Sequence, residues 1–144
     1  MINFLPGVTS TTAALNAERI RMDVIGQNIA NAQITHGPNG GPYQRQEVVF
    51  EAVLNQQAAP GEPGATPAAV RVARIQADPR PPQMVYNPGH PDADSHGMVA
   101  TPNVNVHEEM ADLIVASRAF EANLAVMRTA RTMALEALSI GKRA

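Results

Sequence analysis

The sequence predicts a mainly α protein with a small β part, in which long helices at both termini flank a middle segment of short strands and loops. Two observations lead to this fold class. Nine of the twelve prolines fall between Pro60 and Pro102, and proline interrupts helices because it lacks a backbone N–H and clashes with the preceding turn. The flanking segments instead carry apolar residues at intervals of seven, which is the spacing of amphipathic helices.

The apolar side chains of the chain are mostly small. Of its 144 residues 44% are hydrophobic, but only 3% are aromatic and 24 are alanine. Alanine is the best helix former and lets helices approach closely, although it buries little surface. Long helices packed on neighbours therefore suit this composition better than a large globular core.

The first helix is predicted from about Thr11 to Ala32. Its apolar stripe repeats every seven residues and is filled in by Ile25; the repeating residues are Leu15, Met22 and Ile29. The hydroxyl run at residues 9–12 supplies oxygens that can cap the first turn, and a Gly-Pro pair follows the helix.

The second helix is predicted from about Val106 to Ile140. Asn105 and Glu108 have the spacing of a capping box, in which the acid reaches back to the N–H of the cap residue. Two rows repeat every seven residues. They are Val106, Leu113, Phe120, Met127 and Ala134, and Met110, Ser117, Leu124, Arg131 and Leu138. Acids in the first turn and Lys142-Arg143 after the last turn suit the helix dipole.

The middle segment is predicted to hold short strands. Alternating apolar residues favour strands within Tyr43 to Leu54, Val70 to Ile75 and Met84 to Tyr86. The run from Gln56 to Ala69 is rich in Ala, Pro and Gly and is predicted to form a mobile loop.

Charge and cysteine content exclude several function classes. The formal charge is −2, so the basic excess of a nucleic-acid-binding protein is missing. The chain has no cysteine, which excludes disulfides and thiolate chemistry. The sequence shows neither a cleaved secretory signal nor a membrane span, so we expect no direct membrane insertion.

Candidate chemistry is confined to residues 90–96, where two histidines and two aspartates occur in a polar loop. Their spacing fits neither a helical metal site nor a calcium loop, so we expect Asx turns there. His36 and His107 have no neighbouring group that would make them bases. We expect no enzymatic activity, no cofactor and no metal.

Arg131 is a charge within the predicted apolar row of the second helix. It must either extend to solvent or find a carboxylate, such as Glu18 on a partner helix.

Several segments resemble one family over nearly the whole chain. Residues 28–32, Asn-Ile-Ala-Asn-Ala, followed by Tyr43, resemble the N-terminal signature of bacterial flagellar rod and hook proteins. The second half is similar to the FlgC type of proximal rod protein. The matching segments are Pro88-Gly89-His90-Pro91-Asp92-Ala93-Asp94, Gly97, Pro102-Asn103-Val104-Asn105-Val106, Glu108-Glu109-Met110 and Ser117-Arg118-Ala119-Phe120-Glu121-Ala122-Asn123. Phe120 stands where relatives commonly have Tyr.

The resemblance implies a structural subunit of the flagellar basal-body rod. It implies a coiled-coil, inner-tube domain from residues 1–36 and 104–144, and a β-rich outer domain at 37–103 with a mobile loop near 56–69. Such subunits assemble helically into the drive shaft around the export channel. They are exported through the flagellar type III apparatus without a cleaved signal and reside in the rod within the periplasm. Implied partners are other copies, other rod proteins, and membrane-ring and export-gate components at the rod base.

Positions on the predicted helix stripes and at helix ends give a candidate assembly interface. It comprises Leu15, Met22, Ile25, Asn28, Ile29, Asn31, Asn103, Asn105, Met110, Leu113, Phe120, Leu124, Met127 and Leu138. We expect the four asparagines to satisfy helix-end backbone groups at subunit junctions. The alternative function is a self-contained helical-hairpin binding module, such as a secreted effector or chaperone.

Overall fold

Along the chain, one long helix precedes two small antiparallel sheets and a second long helix follows them. The structure is a computed structural model that describes residues 5–37, 40–54 and 67–141. The elements are α1 (Leu5–Ala30), β1 (Gln46–Leu54), β2 (Pro67–Ala77), β3 (Gln83–Tyr86), β4 (Met98–Thr101) and α2 (Val106–Gly141). The predicted fold class, mainly helical with a small β part in the middle, is confirmed. Lys142-Arg143 and most of the predicted mobile loop lie outside the described residues.

Helix α1 begins at Leu5 rather than near Thr11. Proline is tolerated in a first helical turn, where its missing N–H would have no partner, so Pro6 does not delay the start. The hydroxyls of Thr11 and Thr12 donate to the carbonyls of Gly7 and Val8, each at 2.8 Å. The prediction that the hydroxyl run caps the helix is therefore wrong, because all of residues 9–12 lie inside α1.

Helix α2 begins as predicted, at Val106. The Asn105 side chain accepts a hydrogen bond from the N–H of His107 at 3.1 Å, and this confirms Asn105 as the cap. Glu108 contacts the side-chain amide of Asn105 at 3.1 Å, so the expected bond to the backbone N–H of Asn105 is replaced by a bond between the side chains.

The four strands form two separate two-stranded sheets. β1 pairs with β2, and Val48 faces Ile75 across the pair. β2 begins at Pro67, so the prediction that residues 67–69 belong to the mobile loop is wrong. β3 pairs with β4, a strand that the sequence analysis missed.

Gly97, just before β4, is required by its surroundings. Its φ is +73°, and a Cβ would lie 3.0 Å from atoms of both Pro88 and Tyr86. Only glycine fits such a turn without strain.

The helices pack against each other in antiparallel fashion. Asn28, near the end of α1, contacts Glu109 in the first turn of α2. Earlier in α1, Arg21 approaches Asp112, which lies later in α2, at 3.8 Å. α1 also packs on both strands of the first sheet. Small residues lie at the helix contact, since Ala17 and Ala116 are buried. The buried apolar core of the described residues is small and consists of Ala17, Val24, Ile25, Val99, Val104 and Ala116.

Much of α2 remains uncovered within one subunit. α2 has 36 residues and α1 has 26, so α2 is ten residues, or about 15 Å, longer. Leu138 and Ile140 near its end are 66% and 71% exposed. Neither described helix combines the length and apolar character needed to cross a membrane.

Candidate assembly site

A cluster of polar side chains, four of them buried, joins both helices to the β part. We call it the polar junction. Its residues come from the end of α1, the segment before β1, the loop after β2, the loop before α2 and the first turn of α2. They are Asn28, Tyr43, Arg45, Asp78, Arg80, Asn103 and Glu109.

Glu109 lies at the centre of the polar junction. Its side chain is 0% exposed, and its two oxygens accept hydrogen bonds from Arg45 Nε at 2.6 Å and Asn28 Nδ2 at 2.9 Å. A buried charge is costly unless it is paired and hydrogen-bonded. Both conditions are met here, so the carboxylate ties α2 to α1 and to the segment before β1.

Asn28 uses its full hydrogen-bonding capacity. Its Nδ2 donates to the Gln46 carbonyl and to Glu109, while its Oδ1 accepts from the Gln46 N–H and the Tyr43 hydroxyl, all at 2.9 Å. An asparagine side chain can make four such bonds. Asn28 therefore fixes the first residue of β1 on the end of α1.

Asn103 performs a similar task on the other side of Arg45. Its Oδ1 accepts from the Arg45 N–H at 2.8 Å, and its Nδ2 donates to the Arg80 carbonyl at 2.9 Å. The segment that leads into α2 is thereby attached to the segments that precede β1 and follow β2.

Asp78 completes the polar junction beside two arginines. Its carboxylate accepts from Arg80 Nε and Nη2 at 2.9 and 2.8 Å and from Arg45 Nη1 at 3.3 Å. The side-chain and backbone hydrogen bonds from Arg80 lower the pKa of Asp78 from 3.8 to about 2. The charged form of Asp78 is therefore strongly favoured in the folded chain.

The neighbouring groups respond to the same burial and charge. Burial raises the pKa of Tyr43, and the negative charge of Glu109 raises it further. Burial by itself lowers the pKa of Arg45, but the hydrogen bond and charge of Glu109, with the charge of Asp78, outweigh it, so that the pKa is raised. The polar junction thus holds Arg45 and Asp78 charged and Tyr43 neutral.

A second feature is a set of exposed apolar side chains on several sides of α2, which we call the α2 surface. Each of its members is about half exposed or more. They are Met110, Ile114, Val115, Val126, Met133, Leu135, Leu138 and Ile140. Exposed apolar surface of this extent is typical of protein–protein contact sites.

Apart from Asn31 and Asn105 at the helix ends, the predicted interface residues fall into three groups. Met110 and Leu138 belong to the α2 surface. Ile25, Asn28 and Asn103 are buried within the subunit. The remaining apolar residues are half-buried along the helix pair; they are Leu15, Met22, Ile29, Leu113, Phe120, Leu124 and Met127.

Of the four predicted asparagines, two bond backbone groups at helix ends and two bond backbone groups of the β part. Asn31 donates to the Gln27 carbonyl at the end of α1 at 2.7 Å, and Asn105 caps α2, so both do satisfy helix-end groups. Asn28 and Asn103 instead bond backbone of the β part inside the same subunit. For these two the predicted helix-end role is wrong, because the β part folds back against the ends of both helices.

The polar loop at residues 90–96 contains the Asx turn that the sequence predicted. Asp94 Oδ1 accepts from the N–H groups of His96 and Met98 at 2.8 and 2.9 Å. Asp92 accepts from the Thr35 hydroxyl at 2.7 Å, which attaches this loop to the segment after α1. Within the described ranges no group of three or more His, Asp or Glu side chains is arranged to hold a metal ion.

Arg45, Asp78 and Glu109 were not singled out from the sequence as site residues. Arg45 and Glu109 are 64 positions apart, and nothing in a single sequence pairs them. Glu109 instead matched the pattern of an acid in a first helical turn.

Comparison with known proteins agrees with this architecture. Residues 11–38 match the family described as "Flagella basal body rod protein", and residues 95–140 match "Flagellar basal body rod FlgEFG protein C-terminal". Curated relatives with similarity along most of the chain carry the name flagellar basal-body rod protein FlgC. The relative from Borreliella burgdorferi is 40% identical over 92% of this chain and 94% of its own. Those from Yersinia enterocolitica and Bacillus subtilis are 40% and 37% identical, covering 90% and 92% of this chain and 92% and 94% of theirs. The chain therefore belongs to the FlgC family of flagellar basal-body rod proteins.

Proposed function

We propose that this chain, a structural subunit of the flagellar basal-body rod, assembles helically through its two terminal helices into the drive shaft around the export channel. The observation that carries the proposal is the α2 surface, which a single subunit leaves exposed. Contacts between different faces of identical subunits that do not close into a ring generate helical assemblies. A chain with such a surface on its longest element is suited to this role.

The proposed division of labour follows the chain. Residues 1–36 and 104–144 would form a coiled-coil domain in the inner tube, and residues 37–103 a small outer domain. The polar junction supports this division, because buried hydrogen bonds and ion pairs hold the β part on the helix pair. Torque applied to one part is then passed to the other through many short contacts.

The proposed interface keeps the predicted residues that lie on or beside the helix surfaces. Met110 and Leu138 contribute exposed apolar area, and Leu15, Met22, Ile29, Leu113, Phe120, Leu124 and Met127 contribute their outer edges. Asn31 and Asn105 lie at the helix ends beside these surfaces. Ile25, Asn28 and Asn103 support the interface from inside the subunit.

The proposed partners are other copies of this chain, other rod proteins, and ring and export-gate components at the rod base. We further propose that the chain crosses the inner membrane through the flagellar type III apparatus without a cleaved signal, resides in the periplasmic part of the rod and has no enzymatic activity. The alternative of a helical-hairpin binding module is not favoured, since the relatives that cover about nine-tenths of the chain are named as rod proteins.

Deletion of the gene tests the proposal. Electron microscopy of the deleted cells should show the membrane ring without external hooks or filaments, and a plasmid copy of the gene should restore both. A copy carrying Leu138→Asp should restore them poorly, whereas Glu136→Gln, an exposed change nearby on α2, should restore them fully. Hooks and filaments in normal number on the deleted cells would contradict a role in the rod.

A further inference from the structure

The side of α2 that faces away from α1 carries a continuous row of polar and small side chains. α1 packs on the side of α2 that holds Glu109 and Ala116, both of which are 0% exposed. Ala125 is nine residues after Ala116 and therefore lies about 180° around the helix, at 3.6 residues per turn. From residue 118 onwards, the residues on this opposite side recur at intervals of three or four and are all exposed. We call them the polar strip; they are Arg118, Glu121, Ala125, Arg128, Thr132, Glu136 and Ser139.

The polar strip offers little to a protein partner. It contains no large apolar side chain, and its two arginines and two glutamates together have no net charge. Its hydroxyls bond within α2, because Thr132 donates to the Arg128 carbonyl at 3.1 Å and Ser139 to the Glu136 carbonyl at 2.8 Å. Charged groups lose hydrogen bonds to water when a neighbour covers them, so the polar strip is suited to remaining in water.

Apolar edges border the polar strip on both sides. The first edge is a line of large side chains that are 46–71% exposed; they are Val115, Val126, Met133 and Ile140. The second edge includes Leu135 and Leu138, which are 57% and 66% exposed. Met133 and Leu135 are two residues apart and therefore lie about 160° from each other around the helix. One neighbouring helix cannot cover both edges, so complete burial requires a neighbour on each side of α2.

Arg131 lies in the second edge, between Leu135 and Leu138 around the helix, and is exposed. It is the one charge after Asp112 in the described part of α2 that falls outside the polar strip. A long arginine side chain can cover apolar surface with its stem while its charged end reaches water. The second edge can therefore be covered without burying this charge.

We propose that the polar strip is the side of α2 that faces the water of the export channel, and that unfolded polypeptides in transit pass along it. The inference rests on the proposed assembly function and specifies which residues meet the channel. α1 lies behind α2 and neighbouring copies of this chain cover the two apolar edges, so the polar strip is the side that remains. Because it has no net charge and no large apolar side chain, it offers an unfolded polypeptide neither an apolar contact nor a net attraction.

Cysteine labelling in isolated basal bodies tests the assignment. The chain has no cysteine, so Thr132→Cys in the polar strip and Val126→Cys in the first edge each introduce a single thiol at a position exposed in the free chain. A small charged maleimide should label T132C about as fast in basal bodies as in the purified chain. It should label V126C at least roughly tenfold more slowly in basal bodies, because a buried thiol is unreactive. Ser139→Cys and Ala122→Cys repeat the comparison at other levels of the two surfaces, and hook counts show that each variant assembles.

A second reagent distinguishes the channel from the outer surface of the rod. The same maleimide carried on a folded protein, which cannot enter a channel for unfolded chains, should label T132C in the purified chain but not in basal bodies. Protection of T132C from the small reagent, its labelling by the large reagent in basal bodies, or undiminished labelling of V126C would each overturn the proposal. Basal bodies that lack even the wild-type chain would instead refute the rod function on which the proposal rests.

Discussion

Glu109 connects segments that are far apart in the chain, and its carboxylate is fully enclosed. Removing one partner of a buried ion pair leaves the other charge uncompensated, which costs about 3 kcal/mol or more. Arg45, whose side chain is 17% exposed, would keep only its longer contacts with Asp78 and Asp112, at 3.3 and 3.9 Å. We therefore expect Glu109→Gln to lower the free energy of unfolding by about 2 kcal/mol in urea titrations of the purified chain, since that is the usual size of a hydrogen bond between charged groups. Glu108→Gln, one residue earlier and exposed, should change it little. Equal effects of the two variants would contradict the role given to Glu109.

Asp78 makes a pH-dependent contribution whose sign follows from its lowered pKa. The folded state holds the carboxylate charged down to about pH 2, whereas its ordinary pKa is 3.8. The contribution, roughly 2 kcal/mol, is therefore complete above about pH 5 and is lost as the pH falls through 3.8 towards 2. The free energy of unfolding of the wild-type chain, measured between pH 5 and 2.5, should fall more steeply than that of Asp78→Asn. Parallel curves for the two proteins would show that Asp78 is not strongly paired.

The helix pair depends on close approach at small residues. Ala116 is completely buried where α2 faces α1, and inserting a larger side chain into such a contact costs about 1–3 kcal/mol. Ala116→Leu should therefore lower the melting temperature of the purified chain. Ala122→Leu makes the same change at an exposed position of α2 and serves as the control. An unchanged melting temperature for Ala116→Leu would indicate that the helices do not pack at this point.

The helices could be predicted from the sequence, whereas one strand and the polar junction could not. Both helices were predicted because apolar spacing, capping by Asn105 and the absence of interior proline all favour helix. β4 was missed because four residues are too few for an alternation to be recognised, and its pairing with β3 depends on the turn at Gly97. The polar junction was missed for a different reason. Its bonds join residues that the chain brings together only after the β part has folded against both helices.

The apolar residues at intervals of seven predicted where the helices lie in the sequence, but not which sides of the two helices pack against each other. Leu15, Met22 and Ile29 are only half-buried, while the buried row of α1 contains Ala17, Val24 and Asn28. A seven-residue repeat marks an apolar side of a helix but does not distinguish the side that packs within a subunit from the side left for a neighbour. In this chain the strongest apolar repeats coincide with the partly exposed sides.

For the molecule as a whole, stability should fall with distance from the polar junction. The interior core is small, and α2 continues about 15 Å beyond the length of α1. Hydrogen exchange of the dilute purified chain should therefore be slow in the β part and at the start of α2 and fast over residues 133–141. Uniformly strong protection across residues 106–140 would favour a self-contained helical hairpin over a subunit that neighbours complete.

We propose that the two helices of this chain build the inner layer of the rod and carry the β part outside. A cryo-electron microscopy map of isolated basal bodies tests this most directly. We expect density for α1 and α2 to line the channel in the rod, the β part to lie outside it, and neighbouring subunits to cover the α2 surface. A map in which the β part lines the channel, or in which the α2 surface faces solvent in the assembled rod, would contradict it.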